Sequence, residues 1–288
     1  MLTFISFSLF GLYFFVIYYK EIFDFSNLAN VRLGSYFDNV NGVGGYFVTI
    51  FLICCYFLLF SKKKLRILFL VPTIIFALFG TTTGSRTFLL TIVVGLFTLV
   101  FARYRKNKPL LLSITIILIV SIIMLLFLPF LSNLRDRLFS FFAHIEGQNI
   151  DYSTLTRVLW QKYGVYFGVK HLLFGTGAYG FTTLSGVGTY THGNFAELLC
   201  NFGVIGFCLY YSLFANAFRD SRESNEIVKY LAFSILISYL FKGILSVYYY
   251  DKLTVFELAL CIHLCLPTLV LKFNANAAGV ILYRQIYV

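Results

Sequence analysis

One histidine and a few arginines carry most of the chemistry available to this chain. His192 stands in Thr191-His192-Gly193-Asn194, at the start of a long apolar run that also holds Gly203 and Gly206, so an imidazole sits where a helix re-enters lipid. Ionisable groups at or inside a membrane are costly and tend to be functional. With an ordinary pKa of about 6.5 the imidazole is neutral at working pH and able to take a proton, an effect worth roughly 10² to 10⁴ in rate. The competing role is structural: capping the helix or bonding a loop carbonyl.

Arg32, Arg86 and Arg157, together with Arg135 and Arg137 around Asp136, fall on connections that the charge pattern places outside the cytoplasm. The positive-inside bias disfavours cations there, so each needs an anion or good hydration. Snorkelling onto lipid headgroups would serve each singly. Beside one histidine they also fit a pyrophosphate clamp, because guanidinium matches phosphate oxygens two at a time and stays charged at any biological pH. Asn194, the interfacial Trp160, and Arg135 with Arg137, for which Asp136 offers a local partner, are candidates for supporting roles.

The elements that must position these groups are membrane helices. The 288 residues are 59% hydrophobic and 12% charged, with a mean hydropathy of +0.84, too little polar surface to cover a soluble core. Runs near the ~20 apolar residues needed to span hydrocarbon recur about eight times, at 1–19, 46–60, 65–83, 87–102, 109–131, 194–218, 229–248 and 253–271. The second and fourth are short, although Gly44-Gly45-Tyr46 and loop residues can extend them. Residues 1–19 lack a basic start and a small-residue cleavage site and read as an uncleaved helix. The fold expected is an all-α polytopic bundle of about eight transmembrane helices, one transmembrane domain over residues 1–288.

Basic loops at Lys62-Lys63-Lys64-Leu65-Arg66 and Arg103 to Lys108, with Arg219, Arg222 and Lys229, mark the cytoplasmic side. Both termini then lie inside, and 20–45, 84–86, 132–192 and 249–252 face out. The net charge of +11 is mostly this topology signal, and its partner is anionic membrane lipid, with no nucleic acid module visible. Residues 132–192 form the single long outward loop, expected to fold into short helices roofing a cavity, with an amphipathic helix over 154–170 anchored by Trp160. The turn at Gly175, Gly177 and Gly180 follows. Without a preceding strand it does not support a nucleotide-binding fold.

Other ionisable groups are weaker candidates. His144, Glu146 and Asp151 lack a metal-ligand spacing, His171 lies near the interface, and Lys242, Glu257 and His263 sit within helices where pairing between helices competes with function. Glu197 is five residues from His192, off its face at ideal helical spacing. The cysteines, Cys54, Cys55, Cys200, Cys208, Cys261 and Cys265, read as packing residues inside helices. No Asp-x-Asp occurs, so neither a metal nor a cofactor is expected.

Three blocks resemble the O-antigen polymerase and ligase family, membrane glycosyltransferases of the Wzy and WaaL type. They are Thr191-His192-Gly193-Asn194 followed by Gly203-Val204-Ile205-Gly206; Thr156-Arg157-Val158-Leu159-Trp160 leading to the turn at Gly175 to Gly180; and the outward loop from Arg32 to Asn41. The likeness spans roughly residues 30–271. Gly193 stands where the family commonly has Asn, with Asn194 one place later, and the chain looks short of N-terminal helices.

The resemblance implies a repeat-unit polymerase of surface polysaccharide (O-antigen or capsule type). It would act in the cell membrane on polyprenyl-pyrophosphate-linked oligosaccharide at the outer face, beside chain-length regulator and flippase proteins. In that reaction His192 would be the base and Arg32, Arg86 and Arg157 would hold the pyrophosphate. An O-antigen-type ligase is the nearest alternative. A lipid-linked glycan transporter or flippase is another, disfavoured because the polar residues gather at the outer helix ends, and a non-catalytic scaffold is a third.

Overall fold

The computed structural model describes residues 2–24, 33–34, 36–37, 40–128, 132, 135–136, 139, 152–224 and 226–262. Every extended element among them is a helix. In chain order these are α1 (Leu2–Phe23), α2 (Val40–Phe60), α3 (Lys63–Thr82), α4 (Arg86–Tyr104), α5 (Lys108–Leu126), α6 (Tyr152–Lys170), α7 (Gly180–Ser185), α8 (Asn194–Glu223) and α9 (Glu226–Leu245). A further helix, α10, covers residues 252–262. Among the described residues, five helices are long and apolar enough to cross a membrane: α2, α3, α4, α8 and α9 from Val228. The chain is a multi-pass membrane protein. The short second run gains its length because α2 begins at Val40, ahead of the two glycines.

Burial sorts the helices. Along α2 the residues from Val43 to Tyr56 are all buried except Tyr46, and α2 packs against α1, α3, α4 and α9. It is the central helix. On α3, Ile67, Leu68, Leu70, Val71, Ile74 and Leu78 are exposed, as are Leu112, Ile116, Ile117, Val120 and Ile123 on α5; exposed aliphatic faces on long helices suit lipid. Where α4 meets α9 the contact is small and polar: Ser234 Oγ donates to the Gly95 carbonyl at 2.8 Å and Ser238 Oγ to that of Thr91 at 3.4 Å. A Cβ on Gly95 would come within 2.5 Å of Ser238 Oγ. Small residues and hydroxyls are the means by which helices approach closely where no hydrophobic effect drives them together.

These contacts bring the start of α2, the α3–α4 turn, the start of α8 and the end of α9 to one end of the bundle. The α3–α4 turn is tight: Gly84 has φ +59°, Thr83 Oγ1 donates to the Gly80 carbonyl, and Ser85 caps α4 by accepting from the Phe88 N–H at 3.2 Å. Leu33 docks on it through its N–H to the Thr82 carbonyl at 3.1 Å. The basic loops lie at the opposite end, where Arg105 bonds the Tyr230 hydroxyl.

Helix α8 is broken at Gly203, whose φ of +63° and ψ of −166° leave the helical region. The N–H groups of Val204 and Ile205, which would have bonded back along the helix, donate instead to the carbonyls of Leu172 and Leu173 at 2.7 and 3.3 Å. The carbonyls of Cys200 and Asn201 accept in return from the N–H groups of Thr176 and Gly177 at 2.9 and 2.8 Å. These four backbone groups released by the break are thereby paired, as an apolar setting demands.

A Cβ at Gly203 would overlap the Leu173 carbonyl, and the residue also needs a positive φ. Gly203→Ala is therefore expected to cost about 1–3 kcal/mol or more. The midpoint of thermal unfolding in detergent should drop clearly, and an unchanged midpoint would show that this seam is not holding α8.

Candidate functional site

On α6, Arg157, Trp160, Gln161, Gly164 and Gly168 fall at helical spacings that share one face, and that face lies against α8 and the loop before it. Two glycines make the approach possible: a Cβ on Gly164 would sit 2.6 Å from Thr191 Cγ2, and one on Gly168 would sit 2.7 Å from Leu199 Cγ. This small-xxx-small spacing is the sequence signal that points to the contact. Gln161 Nε2 donates to the His192 carbonyl at 3.3 Å and to the Ile244 carbonyl at 3.1 Å, tying α6 to the histidine loop and to the end of α9.

His192 itself adopts φ +61°, a left-handed conformation that is uncommon outside glycine and tends to mark functional sites. Its ring lies nearly parallel to Trp160, at 5.3 Å and 16° between planes, and meets the Tyr190 ring at 4.5 Å. Burial between these rings, reinforced by the positive charge of Arg157, pushes the imidazole pKa down from 6.5 to about 4. The ring is then neutral throughout the physiological range. Its proton affinity in the empty site is lower than an ordinary histidine's, and an anion beside Arg157 would raise it again by offsetting that charge.

The loop is fixed from below by three polar residues in the first half of α8, each buried. Asn194 Oδ1 accepts from the N–H groups of Tyr248 and Tyr249 at 3.0 and 2.9 Å, while its Nδ2 donates to the Tyr211 hydroxyl. Glu197 accepts from the Thr191 N–H at 2.7 Å and from Asn201 Nδ2 at 3.0 Å. Asn201 Oδ1 accepts from the Phe181 N–H at 3.1 Å, binding the start of α7. Helical spacing alone argues against Glu197, which cannot share the face of His192. The histidine lies outside the helix, however, and the carboxylate reaches it through the backbone of the residue before it.

A cavity of about 590 Å³ opens beside the loop. Tyr190, in contact with His192, forms part of its wall, with Tyr46 from α2, Phe10 from α1, and Tyr250 and Asp251 after α9. Behind Asp251 stands the buried Lys242, with Nζ to Oδ2 at 4.0 Å. Glu257, also buried, accepts a hydrogen bond from Thr49. These two interior ionisable residues are thus engaged between helices.

The residues expected to act together are brought together unequally. His192, Arg157 and Trp160 form one cluster, while the Asn194 side chain turns to Tyr211, Tyr248 and Tyr249. Arg86 shares their end of the bundle as the first residue of α4, which packs against α9; there the N-terminal partial positive charge of the helix adds to its own. Arg135 pairs with the adjacent Asp136 at 3.1 Å. Arg32 and Arg137 lie outside the described residues, as do His144, Glu146, Asp151, His263 and Cys265. His171 is exposed. Among the described residues no group of three or more His, Cys, Asp or Glu side chains could hold a metal.

Two outcomes test this geometry. If burial sets the histidine pKa, the His192 imidazole should titrate near pH 4 when followed by NMR, staying neutral at pH 6.5; a midpoint between 6 and 7 would contradict the burial. Glu197→Gln sets an amide donor against either the Thr191 N–H or Asn201, at a cost of about 1.5–3 kcal/mol for a lost charged hydrogen bond. The chain has a single tryptophan, so release of the loop should appear as a red shift of Trp160 emission, and an unshifted spectrum would remove the anchoring role of Glu197.

Residues 71–211 match the family model described as O-antigen ligase. The matched span runs from within α3 to within α8 and includes Arg86, Arg157, Trp160, His192 and Asn194. It is narrower than the likeness read from the sequence motifs, and the loop at Arg32 falls outside it. No curated protein matches the chain. Members of this family are membrane glycosyltransferase-type enzymes that transfer lipid-linked glycans in surface polysaccharide synthesis. With the broken helix, the glycine-permitted seam and the ring-packed histidine all inside the matched residues, this chain carries an O-antigen ligase domain.

Proposed function

We propose that the chain is a surface-polysaccharide repeat-unit polymerase, joining polyprenyl-pyrophosphate-linked glycans at the outer face of the membrane. The carrying observation is that one guanidinium, Arg157, and one neutral imidazole, His192, share a cluster beside a 590 Å³ cavity. In this reading about eight helices span the bilayer, and residues 132–192 cover the site from outside.

An acceptor sugar hydroxyl attacks the anomeric carbon of the donor, and the bond from that carbon to the pyrophosphate oxygen breaks. The hydroxyl proton passes to His192. The charge that grows on the leaving diphosphate is met by Arg157, with Arg86 and the α4 N-terminus at the same end of the bundle, and Arg32 as a further phosphate ligand. The depressed histidine pKa fits this sequence of events: the base is free before the donor binds, and the bound dianion strengthens it. Tyr46, Tyr190 and Tyr250 offer ring faces and hydroxyls to sugar, and Asp251 offers an acceptor. The leaving group is already good, so no metal is required.

The description of the matched family favours a second reading, a ligase that uses the same donor and delivers the glycan once to a different acceptor. The two differ in product: a polymerase yields a ladder, a ligase a single transfer. In proteoliposomes holding lipid-linked repeat units on the accessible face, the wild-type chain should build a ladder and His192→Ala should build none while still inserting. Arg157→Lys and Arg86→Lys should each lower the rate by about 10² or more, as expected for loss of an oriented charged donor. Wild-type ladder length in His192→Ala would end the base assignment.

A further inference from the structure

At the end of the bundle away from His192, three cations crowd one pocket. Arg103, Arg105 and Lys106 line a hollow of about 220 Å³ together with a single carboxylate, Glu226. The two guanidiniums are held on an aromatic platform. Phe60, at the end of α2, stacks on Tyr230 of α9 with centroids 5.8 Å apart. Arg103 lies 5.9 Å over the Phe60 ring, while Arg105 lies 5.6 Å over the Tyr230 ring and donates to its hydroxyl at 2.8 Å.

Holding like charges side by side is unfavourable unless an anion joins them, and two preset guanidiniums suit phosphate oxygens. The same helix supplies what a lipid, rather than a soluble anion, would need. Phe97 and Phe101 on α4 and Arg105, its C-cap, follow one another at four-residue intervals along a single face. Phe97 and Phe101 are each 49% exposed, leaving an apolar strip directly below the cationic pocket. Lys62, Lys63, Lys64, Lys108 and Lys229 flank the same end.

We propose that this pocket binds the phosphate headgroup of an anionic phospholipid in the leaflet at that end, read as cytoplasmic, with an acyl chain along Phe101 and Phe97. A bound lipid would join the ends of α2, α4 and α9 across a junction that otherwise carries excess positive charge. This proposal does not depend on the glycosyltransferase reading.

The test uses the purified full chain, with retained lipid counted by native mass spectrometry after exchange into phosphatidylglycerol, cardiolipin or phosphatidylcholine. The wild type should retain an anionic lipid and gain thermal stability from it, and should gain neither from phosphatidylcholine. Arg103→Gln combined with Arg105→Gln should weaken retention about thirtyfold, from two charges at about 1 kcal/mol each. Should that double variant fail to fold, Lys106→Gln, an exposed position, should still weaken retention several-fold. Equal retention by wild type and the charge-removed variants, equal binding of phosphatidylcholine, or full stabilisation by inorganic phosphate alone at matched ionic strength would each overturn it.

Discussion

The break in α8 at Gly203 is the constraint on which the site rests. A helix interrupted near the membrane must find partners for the N–H and C=O groups it releases, and here they come from one segment, residues 172–177, which gives two carbonyls and receives two in return. That exchange fixes the glycine turn against α8, and with it both flanking pieces of chain: α6 on one side and the loop through His192 on the other. The helix break thus has a positional consequence well beyond its own residue.

From that seam the cluster is built in layers. Gly164 and Gly168 let α6 close on α8, which puts Trp160 flat against the imidazole and Arg157 near enough to bias its charge. Asn194, Glu197 and Asn201 hold the loop through main-chain groups. Polar side chains buried and satisfied in this way specify one arrangement, because any other leaves them unpaired. The histidine can then keep a left-handed backbone that free peptide would seldom adopt.

The two ends of the bundle differ in how they carry charge. At the histidine end, a few arginines stand near a cavity with aromatic walls. At the other end, positive charge is concentrated, and Phe60 with Tyr230 organises it. In both places an aromatic ring helps hold a cation or an imidazole in one orientation.

Composition and run length were enough to establish a helical membrane protein, because lipid tolerates few polar groups, and the motif around Thr191-His192-Gly193-Asn194 with Gly203 falls within the residues that match the family model. The start of α2 was less legible: the apolar run reads as 46–60, and the helix begins at Val40 because its glycines continue it. What the sequence alone could not decide was partnership. Glu197 looked misplaced on helical spacing, yet serves the histidine through the Thr191 N–H. Gly164 and Gly168 looked unremarkable until α8 was seen against them. Arg135 already had Asp136 next to it in sequence as a partner, whereas only the fold brings Arg157 beside His192. Such facts depend on contacts between segments far apart in the chain, and periodicity within one helix holds no information about which neighbour its face will meet.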